Sequence, residues 1–314
     1  MTSTTLIPSS NVVVPTMHGQ VCLITGATSG IGRVTAEALA RLGATLVLVG
    51  RSPEKTAQTV AAIKAATGNS NVEGLLADLS VQSQVRALAA QLLARYSRLD
   101  VLVNNAGAIF FSRQETADGL EMTFALNHLN YFLLTNLLLD TLKATAKEHG
   151  AARLVNVASG AHRRVPGLRF EDLQSRNGYT GYGAYGASKL ANLLFNLELS
   201  RRLAGSGVTA NAVHPGLVST GFAGNNRQWF WRLAYAVINR VGRTPEQGAD
   251  SLIYLATAPE VARVSGSYFF DRKVVAASPA ARDEAAARRL WDISEQLTGL
   301  AQPAEPRQAA ALAA

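Results

Sequence analysis

The chain has 314 residues, of which 48% are hydrophobic and 17% charged, a balance that suits a globular protein with a substantial core. Its formal net charge is +8, but the basic residues are scattered, the tightest groups are pairs such as Arg163-Arg164 and Arg201-Arg202, and no nucleic-acid-binding signature is present. A single cysteine excludes an intrachain disulfide framework, and the five histidines show no metal-ligand spacing.

Residues 1–18 are polar and proline-containing, and they read as an extended lead-in without the basic start and apolar run of a signal peptide. No run reaches the roughly 18 apolar residues of a membrane span, so a cytoplasmic protein is expected. From residue 19, short β-branched runs alternate with longer helical patterns. Strands are predicted at Val21–Ile24 (with Cys22 as a small core residue), Thr45–Val49, Val72–Leu76, Val101–Val103, Arg153–Val157 and Thr209–Val213. Helices are predicted over Ile31–Leu42, from Pro53, and over Val81–Tyr96, Glu121–Leu142 and Tyr185–Leu203. The C-terminal part adds a helix at Pro245–Leu255, a strand at Ser267–Phe270 and a helix at Pro279–Leu297. Such alternation predicts an α/β, Rossmann-type doubly wound sheet, mainly parallel, with helices on both faces. No linker divides residues 19–300, so one catalytic domain is expected, followed by a frayed tail over 301–314.

The segment Thr25-Gly26-Ala27-Thr28-Ser29-Gly30-Ile31-Gly32 joins the first strand to the first helix. Its glycines would let backbone approach a pyrophosphate, and the helix behind it points N–H groups and a positive dipole end the same way. The end of the second strand indicates which nucleotide. An acidic residue there suits a free ribose 2′-hydroxyl, whereas an arginine suits a 2′-phosphate. The position carries Arg51, with Arg33 just past the loop as a second cation, so NADP(H) is favoured over NAD(H). Asp78-Leu79, after the third strand, stands where an adenine amine would be hydrogen-bonded; a helix N-cap is the alternative.

Tyr185 and Lys189 lie four residues apart, on one face of the predicted helix. A free tyrosine titrates near a pH of about 10, and a neighbouring ammonium lowers that value toward what a general acid or base needs.

With these motifs in order, the chain resembles the short-chain dehydrogenase/reductase family from about residue 19 to 300. The resemblance rests on Thr25-Gly-x-x-x-Gly30-x-Gly32, Asp78, Asn104-Asn105-Ala106-Gly107, Asn127, Ser159, Tyr185-x-x-x-Lys189 and Pro215-Gly216. It is most similar to the retinol-dehydrogenase-like branch, through Asn127-His128-Leu129, Ser188-Lys189-Leu190-Ala191-Asn192 and His214-Pro215-Gly216. Ser159 precedes Tyr185 by 26 positions, longer than the usual family gap, and that branch carries a comparable insertion. The resemblance implies that Tyr185 exchanges a proton with the substrate oxygen and that Lys189 lowers the Tyr185 pKa while holding the nicotinamide ribose. It implies that Ser159 hydrogen-bonds the substrate oxygen and Asn127 positions a relay water. The turn Asn104-Asn105-Ala106-Gly107 would support the sheet edge beside the cofactor, and Pro215-Gly216 would border the nicotinamide. Thr220, or its neighbour Ser219, would bond the carboxamide.

Residues 217–242 are expected to form a substrate lid. Trp229-Phe230-Trp231 suggests an apolar aldehyde or ketone, and Arg227, Arg232 and Arg240 admit peripheral contact with a membrane surface. Packing on its own domain or on a partner subunit is the alternative reading of the same segment. The expected activity is interconversion of a carbonyl and an alcohol, needing no metal. The competing readings are a non-catalytic NADP-binding sensor or scaffold, a light-driven tetrapyrrole reductase (disfavoured by the lack of active-site cysteines), and a step in lipid or secondary-metabolite biosynthesis. A homodimer would pair through Glu121–Leu142 and Tyr185–Leu203, unless a C-terminal helix or the lid covers that face.

Overall fold

Strand β1 (Val21–Thr25) is buried along its whole length, and its alternate residues enter two different cores. Val21 and Leu23 join one cluster; Cys22 and Ile24 join another on the opposite face. A strand covered on both faces has to be apolar throughout, which is why these strands read as continuous hydrophobic runs. The computed structural model describes residues 16–218 and 242–301.

The remaining strands are β2 (Thr45–Gly50), β3 (Val72–Leu76), β4 (Val101–Asn104), β5 (Ala152–Val157), β6 (Val208–Val213), β7 (Tyr268–Phe270) and the two-residue β8 (Lys273–Val274). They form one eight-stranded sheet in the order β3-β2-β1-β4-β5-β6-β7-β8. All pairings are parallel except β7 with β8, an edge ribbon that the sequence pattern did not predict. The chain winds outward from β1 to β3, returns to the centre at β4, and then winds the other way. That reversal opens a crevice at the carboxyl ends of β1 and β4, the place where open α/β sheets bind ligands.

Helices α1 (Gly30–Arg41) and α2 (Pro53–Thr67) pack on one face, and α3 (Gln82–Arg95) packs on the other. Local signals set their ends. Ser52 accepts the Lys55 N–H at the start of α2, Pro53 occupies its first turn, and Gly68 closes it in the left-handed conformation at φ 71°. The helix predicted over Glu121–Leu142 is instead broken. It consists of a short turn α4 (Met122–Phe124), a π-helical turn over Ala125–Leu129, and α5 (Asn130–His149). A π turn adds a residue to the helical repeat without disturbing composition, so no hydrophobic pattern reveals it.

Helix α6 (Gly181–Arg202) starts four residues earlier than predicted because Thr180 caps it through Gly183 N–H. Among the described residues two further helices follow, α7 (Pro245–Thr257) and α8 (Glu284–Thr298), the latter preceded by a separate 3₁₀ turn at Pro279–Arg282. Trp291 of α8 sits edge-on to Phe132 of α5 at 4.9 Å and stacks on Phe195 of α6 at 5.9 Å. The C-terminal helix therefore covers part of the face that the sequence offered to a partner subunit. Cys22 is a core residue as expected, its thiol kept protonated by burial. Among the described residues no helix is long and apolar enough to cross a membrane.

Candidate active site

A cleft of about 690 Å³ lies at the switch point between β1 and β4. Most of the residues singled out in the sequence meet on its wall: Gly26, Thr28, Ser29, Gly30, Ile31, Gly32, Arg51, Asp78, Leu79, Asn105, Ala106, Gly107, Ser159, Tyr185, Lys189, Pro215 and Gly216. Arg33 is exposed in the first turn of α1 and does not line that wall. Asn127 stands behind the wall. Thr220, Ser219 and most of the expected lid, including Trp229-Phe230-Trp231, Arg227, Arg232 and Arg240, lie outside the described residues.

Two glycines of the loop have a packing role besides the one its spacing suggests. A Cβ at Gly26 would come within 2.9 Å of the Ala106 Cα, and one at Gly32 within 2.5 Å of Asn105 Nδ2. Both glycines let the loop after β1 lie against the loop after β4. The free donors come from α1. Ser29 at its N-cap makes no side-chain cap bond, and its first turn has no acidic residue. With Arg51 at the end of β2, its side chain 70% exposed, this end of the cleft suits a phosphorylated nucleotide. Asp78 lies 3.9 Å from Arg51 and accepts the backbone N–H and hydroxyl of Ser80, so it braces its own turn; Val81 is the N-cap of α3.

Thr25 was quoted only as the start of a motif, yet its hydroxyl joins the two loops. It accepts Asn105 N–H at 2.9 Å and Ala106 N–H at 3.0 Å, and donates to Val103 O at 3.3 Å. Thr25→Val keeps the shape and strands two backbone donors, so a loss of about 2–4 kcal/mol in urea unfolding is expected. An unchanged midpoint would show that these bonds are replaceable. The signal in the sequence was a polar residue ending an apolar strand.

At the other end of the cleft, Lys189 is 2% exposed and donates to Val157 O at 2.9 Å. Burial pulls its pKa from 10.5 down to about 7. Its Nζ lies 5.6 Å from the centre of the Tyr131 ring and 5.7 Å from that of Tyr185. Of these two tyrosines only Tyr185 lines the cleft. Tyr131 is fully buried, and burial holds its phenol well above the usual value. The nearby Tyr179 is tied to Phe110 O at 2.8 Å, and Tyr182 pairs edge-on with Phe111 on the cleft wall at 5.5 Å.

Asn127 sits in the π turn, fully buried. Its Oδ1 accepts Ala108 N–H at 2.8 Å, and its Nδ2 donates to Ala108 O at 2.9 Å and Ser188 Oγ at 3.0 Å. A Cβ at Gly107 would lie 3.0 Å from Asn127 Oδ1 and 3.6 Å from Lys189 Nζ, so Gly107 leaves the space between them open. Ser159 lies two residues beyond β5 as the N-cap of a 3₁₀ turn, and its hydroxyl accepts Ala161 N–H at 3.2 Å. Two histidines not selected as site residues flank it, His162 and His214. Burial lowers the pKa of both, that of His214 to about 4.

A switch-point cleft with an anion-binding helix end at one side and a tyrosine, a buried lysine and a serine at the other defines a nucleotide-dependent oxidoreductase of the Rossmann type. The family model for short chain dehydrogenases matches residues 20–231, and the chain belongs to the short-chain dehydrogenase/reductase family. Within it the chain lies in the retinol-dehydrogenase-like branch. Retinol dehydrogenase 14 of Mus musculus is 42% identical over 298 residues, covering 90% of this chain and 87% of that protein. Polyprenol dehydrogenase of Homo sapiens is 40% identical over 291 residues, covering 92% of this chain and 88% of that protein. A crystal structure of an uncharacterized Mycobacterium paratuberculosis protein superposes with a TM-score of 0.72 at 35% identity, covering 91% of this chain and 96% of that one. The protein is thus an NAD(P)-dependent oxidoreductase acting on carbonyl and alcohol groups.

Proposed function

We propose that the protein is an NADP-dependent reductase or dehydrogenase of lipophilic aldehydes and ketones, or of the matching alcohols. The observation that carries this reading is the placement of Lys189 Nζ beside the Tyr185 ring in the same cleft as Ser159. When bound, the nicotinamide supplies or accepts the hydride. The residues of the chain manage one proton and one oxygen. Tyr185 gives its phenolic proton to the carbonyl oxygen in reduction, or takes the hydroxyl proton in oxidation. Ser159 donates to the same oxygen as charge develops there. The Lys189 ammonium favours the phenolate of Tyr185, and it and Tyr185 would also face the nicotinamide ribose. Asn127 has both Nδ2 hydrogens engaged, so a relay water between Lys189 and solvent would be held by a carbonyl of that residue.

Arg51 supports the phosphorylated cofactor. Arg51→Gln is expected to weaken NADPH relative to NADH by about 10-fold to 100-fold, the worth of one or two charged hydrogen bonds. Titration of both cofactors by fluorescence checks this, and an unchanged ratio would remove Arg51 from nucleotide selection. The apolar reading is supported by Ile109, Phe111, Leu126, Tyr182 and Leu217 on the cleft wall and by relatives named for retinol and polyprenol. NADPH oxidation measured across medium-chain, isoprenoid and small polar carbonyls tests it. Equal kcat/KM across that panel would sink the lipophilic assignment.

A further inference from the structure

The peptide group joining Ser159 to Gly160 is held at both ends by histidines from different parts of the chain. Ser159 O lies 2.6 Å from His162 Nδ1. On the opposite edge, Gly160 N–H donates to His214 Nδ1 at 3.2 Å. A trans peptide is planar with its C=O and N–H on opposite edges, so fixing both fixes the rotation of the plane. With β5 holding the Ser159 N–Cα bond, that rotation is ψ of Ser159, 153° here, and it sets where the Ser159 Cα–Cβ bond points relative to the clamped plane.

Each contact also dictates a tautomer. His162 carries its proton on Nδ1, because its Nε2 accepts Ser278 N–H at 3.2 Å. His214 keeps Nδ1 bare, because that atom also accepts Gly216 N–H at 3.3 Å. Both rings are held in place. His162 is fully buried and stands edge-on to Tyr268 at 5.3 Å, and His214 stacks on Phe270 at 5.0 Å. His214 thereby couples the Ser159 turn to the neighbouring Pro215-Gly216 turn.

We propose that His162 and His214 are positioning residues that aim the Ser159 hydroxyl by clamping the Ser159–Gly160 peptide from both sides. This rests on the reading of Ser159 as the group that binds the substrate oxygen. Core histidines that only fill space would act on stability alone, whereas a clamp acts through Ser159.

The test compares two polar variants of similar size. In His162→Asn the amide stands near the Nδ1 position and can still donate to Ser159 O. In His162→Gln it reaches the Nε2 position and preserves only the contact with Ser278. Loss of aim by a fraction of an ångström is expected to lower kcat of the Gln variant about 10-fold to 100-fold, with the Asn variant recovering most of it. NADPH affinity, read by fluorescence, is expected to stay within about threefold of wild type in both, since neither changes a nucleotide contact. Adding His162→Gln to Ser159→Ala should cause no further loss of kcat, because the clamp then has nothing to aim. If the two losses multiply, or if Gln retains more kcat than Asn, the clamp is refuted while Ser159 keeps its role. If Ser159→Ala alone is fully active, the reading of Ser159 fails and takes the clamp with it. His214→Asn against His214→Gln repeats the comparison from the other edge of the peptide, with Asn again expected to be the better variant.

Discussion

Tyr185→Phe is expected to lower turnover by about 1000-fold or more, with NADPH binding changed by less than about threefold. The substitution removes one oxygen and leaves the ring that lies beside Lys189 Nζ. Proton transfer to the substrate oxygen then has to come from water, and general acid–base help is typically worth about 100-fold to 10000-fold. The tyrosine at 131, equally close to Lys189, cannot take over. It is fully buried, and its phenol is held protonated well above the usual range. Stopped-flow or steady-state NADPH oxidation with a reactive aldehyde measures the loss. Activity within tenfold of wild type would remove Tyr185 from the proton transfer.

Lys189→Met is expected to lower kcat by about 100-fold or more, since the cation that favours the Tyr185 phenolate is gone. A second readout follows from the same burial. Without cofactor, Lys189 titrates at about 7 in the folded chain against 10.5 as a model group. Between those values the unfolded chain holds a proton that the folded chain has released, so folding stability rises with pH there. Below about 7 both states carry the proton, and the penalty of burying the ammonium is present in full. The wild-type chain should therefore gain up to about 1.4 kcal/mol per pH unit from this group above neutrality. Lys189→Met removes that gain, so the stability of wild type relative to the variant should rise with pH above neutrality. Urea unfolding of both at pH 6, 7.5 and 9 measures it; a difference that does not vary with pH would mean Lys189 is charged throughout.

The parts of the fold that were legible in the sequence are those fixed by local pattern. The apolar runs at 21–25, 45–50, 101–104 and 152–157 become central parallel strands, because burial on both faces removes polar residues from them. Pro53 and Pro245 mark helix starts, since a proline costs nothing where no intrahelical donor is needed. The candidate site was legible wherever a motif brings its own geometry, as Tyr185 and Lys189 do within one helix. Arg33 was expected as a second cation beside Arg51, but of the two only Arg51 lines the cleft, and spacing alone does not say which residues of α1 face it.

The sequence by itself determined the doubly wound sheet, the family and the placement of the tyrosine–lysine pair, all of which rest on spacings of a few residues or on the period of burial. Only the tertiary structure decided which contacts hold those groups. The Thr25 hydroxyl bonds to backbone 80 and 81 residues away, and His162 and His214 reach partners 116 and 54 residues away. The π turn that carries Asn127 interrupts a helix whose composition gives no sign of it. Hydrogen bonds across such separations depend on how strands and helices stack, which no local pattern encodes.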